Sequence, residues 1–158
     1  MMPPAQVTFV LHDAGETKAM QPVMQDLANK GVQYDIIAEG TAEKLIGYHP
    51  PTEHALNAPV ILTGVVSKFQ RDWATFFKQQ GKTVVGYYDG LLVDNNAGPV
   101  AMFKGVLSHL LTTTTHMANS FKPYFSDIQV KAVGQPALES STAKAANIDK
   151  LAVAKQLG

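Results

Sequence analysis

The sequence contains no cysteine and only one arginine, Arg71. The absence of cysteine excludes disulfide bonds, thiolate nucleophiles and zinc sites with cysteine ligands. Thirteen basic residues balance thirteen acidic ones, so the chain has no excess of positive charge with which to bind a nucleic-acid backbone or an anionic membrane. Nucleic acid is therefore not an expected partner.

Long apolar runs and charged residues are also scarce. The N-terminal apolar stretch, residues 7–11, is too short for a membrane span or for the apolar part of a signal peptide. We therefore expect no membrane span and predict a cytoplasmic location. Charged residues make up 16% of the chain, against roughly 25% in typical soluble domains, and this shortage suggests that one face of the protein is covered.

The chain has enough apolar material for one hydrophobic core. Its 158 residues are 46% hydrophobic, which fits one folded domain of ordinary size. We expect this domain to span residues 1–138. Small and polar residues then dominate the composition, and segment 139–158 is predicted to be a linker or a C-terminal helix.

Short apolar runs alternate with segments of helical period along most of the chain. Strands are predicted over residues 7–11, 34–38, 60–63, 82–88, 108–113 and 128–133. Helices are predicted over 17–30, with Pro22 in the first turns, over about 42–46, from Ser67 to Gly81, over 100–105, and after a Thr115 cap, whereas 48–59 is expected to be irregular. This alternation predicts an α/β fold: a three-layer αβα Rossmann-like domain with a mostly parallel, doubly wound sheet of about six strands.

Ligands of doubly wound sheets bind at the carboxyl ends of the strands. The loop after the first strand carries His12, Asp13 and Glu16, which are the candidate catalytic residues. The candidate ligand-binding residues at the strand ends are Gly15, Thr63, Gly64, Asp89, Gly90, Thr114, Thr115, His116 and Gln135.

The first loop supports two interpretations. Two carboxylates beside the His12 imidazole form the set from which a general base and an orienting partner are made. Alternatively, Asp13 caps the following helix and Glu16 lies at its positive end, which is a purely structural role. The sequence does not decide between these roles.

The five histidines do not form a metal-binding pattern. No two of them stand four residues apart on a predicted helix, so we predict no metal site, and no cofactor is expected. His49 and His54 are expected to be exposed, and His109 is expected to lie in the core. The helix that carries Phe69, Trp73, Phe76 and Phe77 could line a pocket, but a core stripe is the favoured interpretation.

Several short motifs occur in an order that resembles a known enzyme family. They are the Asp13-Ala14-Gly15-Glu16 loop, Pro22 in the first helix, Val60-Ile61-Leu62-Thr63-Gly64, the strand that ends at Asp89, the run from Leu110 to Thr115, and Gly134-Gln135-Pro136. Over about residues 5–138 this order resembles the N-terminal domain of GT-B glycosyltransferases and of the related UDP-N-acetylglucosamine 2-epimerases. The first loop departs from many members because it has one glycine, Gly15, rather than a glycine-rich run.

The resemblance implies a function and partners. It implies that the domain binds a sugar or sugar-nucleotide ligand, namely a sugar acceptor or glycan precursor, and that the first loop supplies a catalytic base. It also implies a second, nucleotide-sugar-binding Rossmann-like domain, or a homodimer partner, for catalysis. The alternative is a non-catalytic α/β interaction module, in monomeric or dimeric form, that keeps the fold without the chemistry.

Overall fold

The computed structural model describes residues 5–90 and 97–134, the side chains of residues 97 and 98 excepted. The strands are β1 Val7–Leu11, β2 Tyr34–Ala38, β3 Val60–Gly64, β4 Thr83–Tyr88, β5 His109–Thr112 and β6 Gln129–Ala132. The helices are α1 Ala14–Asn29, α2 Thr41–Ile46, α3 Glu53–Asn57, α4 Lys68–Gln79, α5 Ala97–Ala101 and α6 Thr115–Phe121, and a 3₁₀ turn follows over Lys122–Tyr124. None of the helices in these ranges is long and apolar enough to cross a membrane.

The six strands form one parallel sheet in the order β2-β1-β3-β4-β5-β6. The predicted α/β class and doubly wound sheet are therefore confirmed, and each pairing is parallel. The chain moves from β1 to β2 in one direction and then returns past β1 to build β3 to β6 in the other. This reversal leaves a crevice between the ends of β1 and β3, which is where such sheets bind ligands.

Helices cover both faces of the sheet, so the domain has three layers. On one face, Met20 and Met24 of α1 and Ala42 of α2 pack with Phe9 and Leu11. On the opposite face, Phe77 of α4 and Phe121 of α6 pack with Val10, Ile61 and Leu110. Neighbouring residues of a strand point alternately into the two clusters. Because both faces of the sheet are buried, the strands are continuous apolar runs in the sequence.

Some predicted boundaries and positions are wrong, each for a local reason. Helix α1 begins at Ala14 rather than residue 17, because Asp13 occupies the N-cap, and Pro22 therefore lies inside the helix rather than in its first turns. The irregular segment contains α3, which the Thr52 hydroxyl caps by accepting the Ala55 N–H. Thr114, not Thr115, caps α6.

Two other predictions are wrong, one in β5 and one in the segment after β4. His109 is exposed rather than in the core, because alternation within β5 places Leu110, and not its neighbour, in the buried cluster. The helix predicted over residues 100–105 lies at Ala97–Ala101 and is followed by turns. Segment 139–158 is outside the described residues.

Candidate functional site

The loops after β1, β3, β4 and β5 meet at the carboxyl edge of the sheet. A Cβ atom on Gly15 would overlap the Asp89 carboxylate, and one on Gly64 would overlap the Glu16 carboxylate. The Thr113 hydroxyl donates to the Gly90 carbonyl at 2.5 Å. These close approaches bring residues from four strand ends together, and a side chain at Gly15 or Gly64 would have to displace the carboxylate beside it.

Glu16 is buried beneath this edge, with 2% of its surface exposed. Its Oε1 accepts the backbone N–H groups of His12 at 2.7 Å and Asp13 at 2.8 Å. Burial raises the pKa of the Glu16 carboxyl to about 7, against the opposing effect of these hydrogen bonds, and the Asp13 charge adds to the rise. Glu16 therefore holds the first loop in shape but does not face solvent.

Gln70 also belongs to the buried cluster around Glu16, and the sequence did not predict this position. It is completely buried, and its Nε2 donates to Glu16 Oε1 at 2.5 Å and to the Val10 carbonyl at 3.3 Å. Its Oε1 accepts the hydroxyl of Ser67 at 3.0 Å, and that hydroxyl in turn caps α4. The Ser67-x-x-Gln70 spacing is the capping-box pattern, which signals the start of α4 but not the contact of Gln70 with Glu16.

His12 and Asp13 form a hydrogen-bonded pair above Glu16. His12 Nδ1 lies 2.7 Å from Asp13 Oδ1, and the two side chains are 30% and 46% exposed. A carboxylate can only accept, so we assign the proton of this bond to Nδ1. The other ring nitrogen, Nε2, faces the loop after β2, where Glu39 Oε2 lies at 3.9 Å and Gly40 lies close to the ring.

The distance of 3.9 Å between His12 Nε2 and Glu39 Oε2 is too long for a direct hydrogen bond. Within the two ranges that the structure describes, no donor lies within hydrogen-bond distance of Nε2, so its lone pair can accept a further hydrogen bond. A carboxylate that orients an imidazole with a second ring nitrogen able to accept a proton is the arrangement that general bases use.

Asp89 adds a further carboxylate at the end of β4. Burial raises the pKa of its carboxyl above the ordinary value, and the neighbouring Asp13 charge raises it further. The charged side chains that these contacts bring to the edge, Asp13, Glu39 and Asp89, are all acidic. Such an edge favours hydroxyl donors and repels phosphate.

The predicted threonines mostly serve the backbone. The buried Thr63 donates to the carbonyl of Gly64 at 2.8 Å, and Thr114 caps α6 by accepting the Met117 N–H at 3.1 Å. Thr115 and His116 are exposed on α6. Among residues 5–90 and 97–134, no hydrogen bond joins either of them to the first loop, and Gln135 lies outside the described residues.

An aromatic groove begins beside His12. Its walls are Leu56 of α3 and Phe69, Trp73 and Phe76 of α4, with Asp72 at the margin, and it encloses about 450 Å³. The Phe69 ring centre lies 6.1 Å from that of His12. Three of the four aromatic residues therefore line the groove. Phe69 and Trp73 also pack against the core, as the favoured interpretation predicts, and Phe77 is fully buried in it.

No group of three or more histidine, aspartate or glutamate side chains in the described part of the chain could hold a metal ion. Comparisons with protein-family models, with curated proteins and with solved structures gave no match.

Proposed function

We propose that the carboxyl edge binds the hydroxyl groups of a sugar acceptor or glycan precursor, and that His12 acts there as a general base. In this proposal the chain is the acceptor-binding half of a GT-B-like glycosyltransferase or sugar epimerase. A second domain supplies the nucleotide sugar. The observation that carries the proposal is the pairing of His12 Nδ1 with Asp13 at the crevice between β1 and β3.

The chemistry follows from the orientation of the imidazole. Asp13 holds the proton on Nδ1 and stabilises the imidazolium that forms when Nε2 accepts the acceptor's hydroxyl proton. As the proton moves, the hydroxyl oxygen bonds to the anomeric carbon of the donor sugar. The bond from that carbon to the nucleotide phosphate breaks, and the nucleoside diphosphate leaves with the electron pair.

The charge of the edge favours the acceptor over the nucleotide as the ligand of this domain. Asp13, Glu39 and Asp89 can accept hydrogen bonds from sugar hydroxyls, and ionised acceptors form stronger bonds than neutral ones. The same carboxylates would repel a pyrophosphate. The nucleotide sugar is therefore expected on the second domain.

Titration calorimetry with a panel of methyl glycosides and sugar nucleotides tests this proposal. We expect saturable binding of at least one glycoside, with an affinity that falls at least tenfold in His12→Ala. His54→Ala is the matched control, because His54 is exposed on α3. The absence of saturable binding to every glycoside, or an equal loss in both variants, would count against the proposal.

One observation favours the alternative, a non-catalytic interaction module. Asp13 is the N-cap of α1 and Glu16 is fully buried, so both acids have structural roles that require no substrate. Replacing Asp13 by alanine then costs about 1 kcal/mol of capping and nothing else. Sedimentation velocity of the same variant reports whether the chain is a dimer and whether the dimer depends on this edge.

A further inference from the structure

Helix α4 carries three aromatic residues, Phe69, Trp73 and Phe76, beside its buried stripe. The buried stripe of this helix is Gln70, Ala74 and Phe77. A second stripe, Phe69, Trp73 and Phe76, lies one residue earlier at each position, and Phe76 keeps 38% of its surface exposed. Phe69 and Trp73 are partly buried against the core, and with Phe76 they also line the groove.

The rings of this stripe hold one another in place. Trp73 stands edge-on to Phe76 with ring centres 5.7 Å apart and stacks on Phe77 at 5.7 Å. Phe76 in turn contacts Phe77 at 5.3 Å. A preformed aromatic wall of this kind suits a flat ring, because aromatic pairs add attraction beyond the area that they bury.

The groove lies next to the proposed sugar site, because Phe69 belongs to the groove and its ring is near that of His12. The ring centres of Phe69 and His12 lie 6.1 Å apart. Trp73 and Phe76 of α4 and Leu56 of α3 line the rest of the groove. The charge of Asp72 at the margin is balanced by Lys68 at 2.8 Å. An uncharged group attached to a sugar at His12 would lie beside Phe69, the residue of the groove that is near His12.

We propose that the aromatic groove binds an aryl group carried by the same ligand whose hydroxyl is held at His12. This inference rests on the proposed function and narrows its substrate class to aryl glycosides or aryl-bearing sugar acceptors. The volume of about 450 Å³ is within the range of small-molecule sites. A second copy of the chain as the occupant of the groove is an outcome that the test below distinguishes.

The test uses Trp73, which is the single tryptophan of the chain. Its fluorescence therefore reports on the groove alone. We titrate the full chain with 4-nitrophenyl glycosides, whose nitrophenyl group quenches indole emission, and compare their affinities with those of the methyl glycosides of the same sugars by calorimetry. We expect saturable quenching and at least tenfold tighter binding of the nitrophenyl series.

Phe76→Ser removes one wall of the groove while keeping Trp73 as the reporter. It should abolish most of the tenfold preference for nitrophenyl over methyl glycosides and leave methyl glycoside affinity unchanged. Tyr124→Ser is the matched control, because Tyr124 is an exposed aromatic residue outside the groove. The wild-type comparison of the two glycoside series needs no variant, so the test survives a folding defect in Phe76→Ser.

The outcomes separate this inference from the proposed function. Equal affinities of methyl and nitrophenyl glycosides, with His12→Ala weakening both, would overturn the aryl site and leave the sugar site intact. Saturable quenching by 4-nitrophenol with no response to any glycoside would overturn the proposed function and the shared ligand. A dimer that Phe76→Ser dissociates would assign the groove to a second copy and overturn the inference.

Discussion

Replacing Glu16 by glutamine should change how the stability of the protein depends on pH. Glutamine keeps the shape of the side chain and an oxygen that can accept the N–H groups of His12, Asp13 and Gln70. It removes the ionisable group. The comparison therefore isolates the cost of a buried carboxylate from the value of its hydrogen bonds.

The magnitude follows from the pKa of Glu16. Burial raises this pKa from 4.5 to about 7 in the folded chain, which corresponds to about 3 kcal/mol of differential stability. Because the folded pKa is the higher one, the folded state binds the proton more tightly. The contribution of Glu16 is fully present below pH 4.5 and is lost as the pH rises through about 7.

The assay is urea unfolding, followed by Trp73 fluorescence and circular dichroism, at intervals from pH 4.5 to 8. Between these limits the free energy of unfolding of Glu16→Gln should gain about 3 kcal/mol relative to the original chain. Glu53→Gln, at an exposed position in the first turn of α3, controls for the change in net charge. A difference between the two proteins that stays constant over this range, or that moves in the opposite direction, would refute the reasoning.

Three further experiments, with five substitutions in all, test the packing around the site by urea unfolding. Gly64→Ala should destabilise the fold by about 2–3 kcal/mol, because the added Cβ overlaps the buried carboxylate; a loss below about 0.5 kcal/mol would contradict this contact. Thr114→Ala should cost about 1 kcal/mol and Thr115→Ala much less, since only the former caps α6, and equal costs would argue against that cap. Phe77→Ala should cost about 3–5 kcal/mol, whereas Phe76→Ala should cost clearly less because this side chain is partly exposed, and similar losses would place both in the core.

The fold could be predicted because strands and helices have different apolar periods. The runs at 7–11 and 34–38 match β1 and β2 in full, and all six predicted strands exist. Their order in the sheet could not be predicted from periodicity, because pairing depends on contacts between distant segments. The order β2-β1-β3 is nevertheless what places the His12 loop at the crevice.

The candidate site could be predicted in part. The sequence identified His12, Asp13 and Glu16 as one cluster, but it treated the two acids as equivalent. The structure separates them: Glu16 turns inward to the N–H groups of its own loop, and Asp13 turns toward the imidazole. Gln70, which is 54 residues from Glu16 in the chain, completes the cluster through a contact that no local pattern contains.

Helix α4 shows why the groove was harder to predict than the core. Apolar residues at positions 69, 73, 76 and 77 look like one broad stripe on a helix of period 3.6. In the fold they divide into two stripes about 100° apart, since each successive residue turns the helix by that angle. One stripe, with Gln70 and Phe77, faces the sheet, and the other, with Trp73, faces the groove. Phe69 and Trp73 of the outer stripe pack against the core and also line the groove, so the apolar period of the helix cannot separate the two positions, and only the packing of α4 on the sheet does.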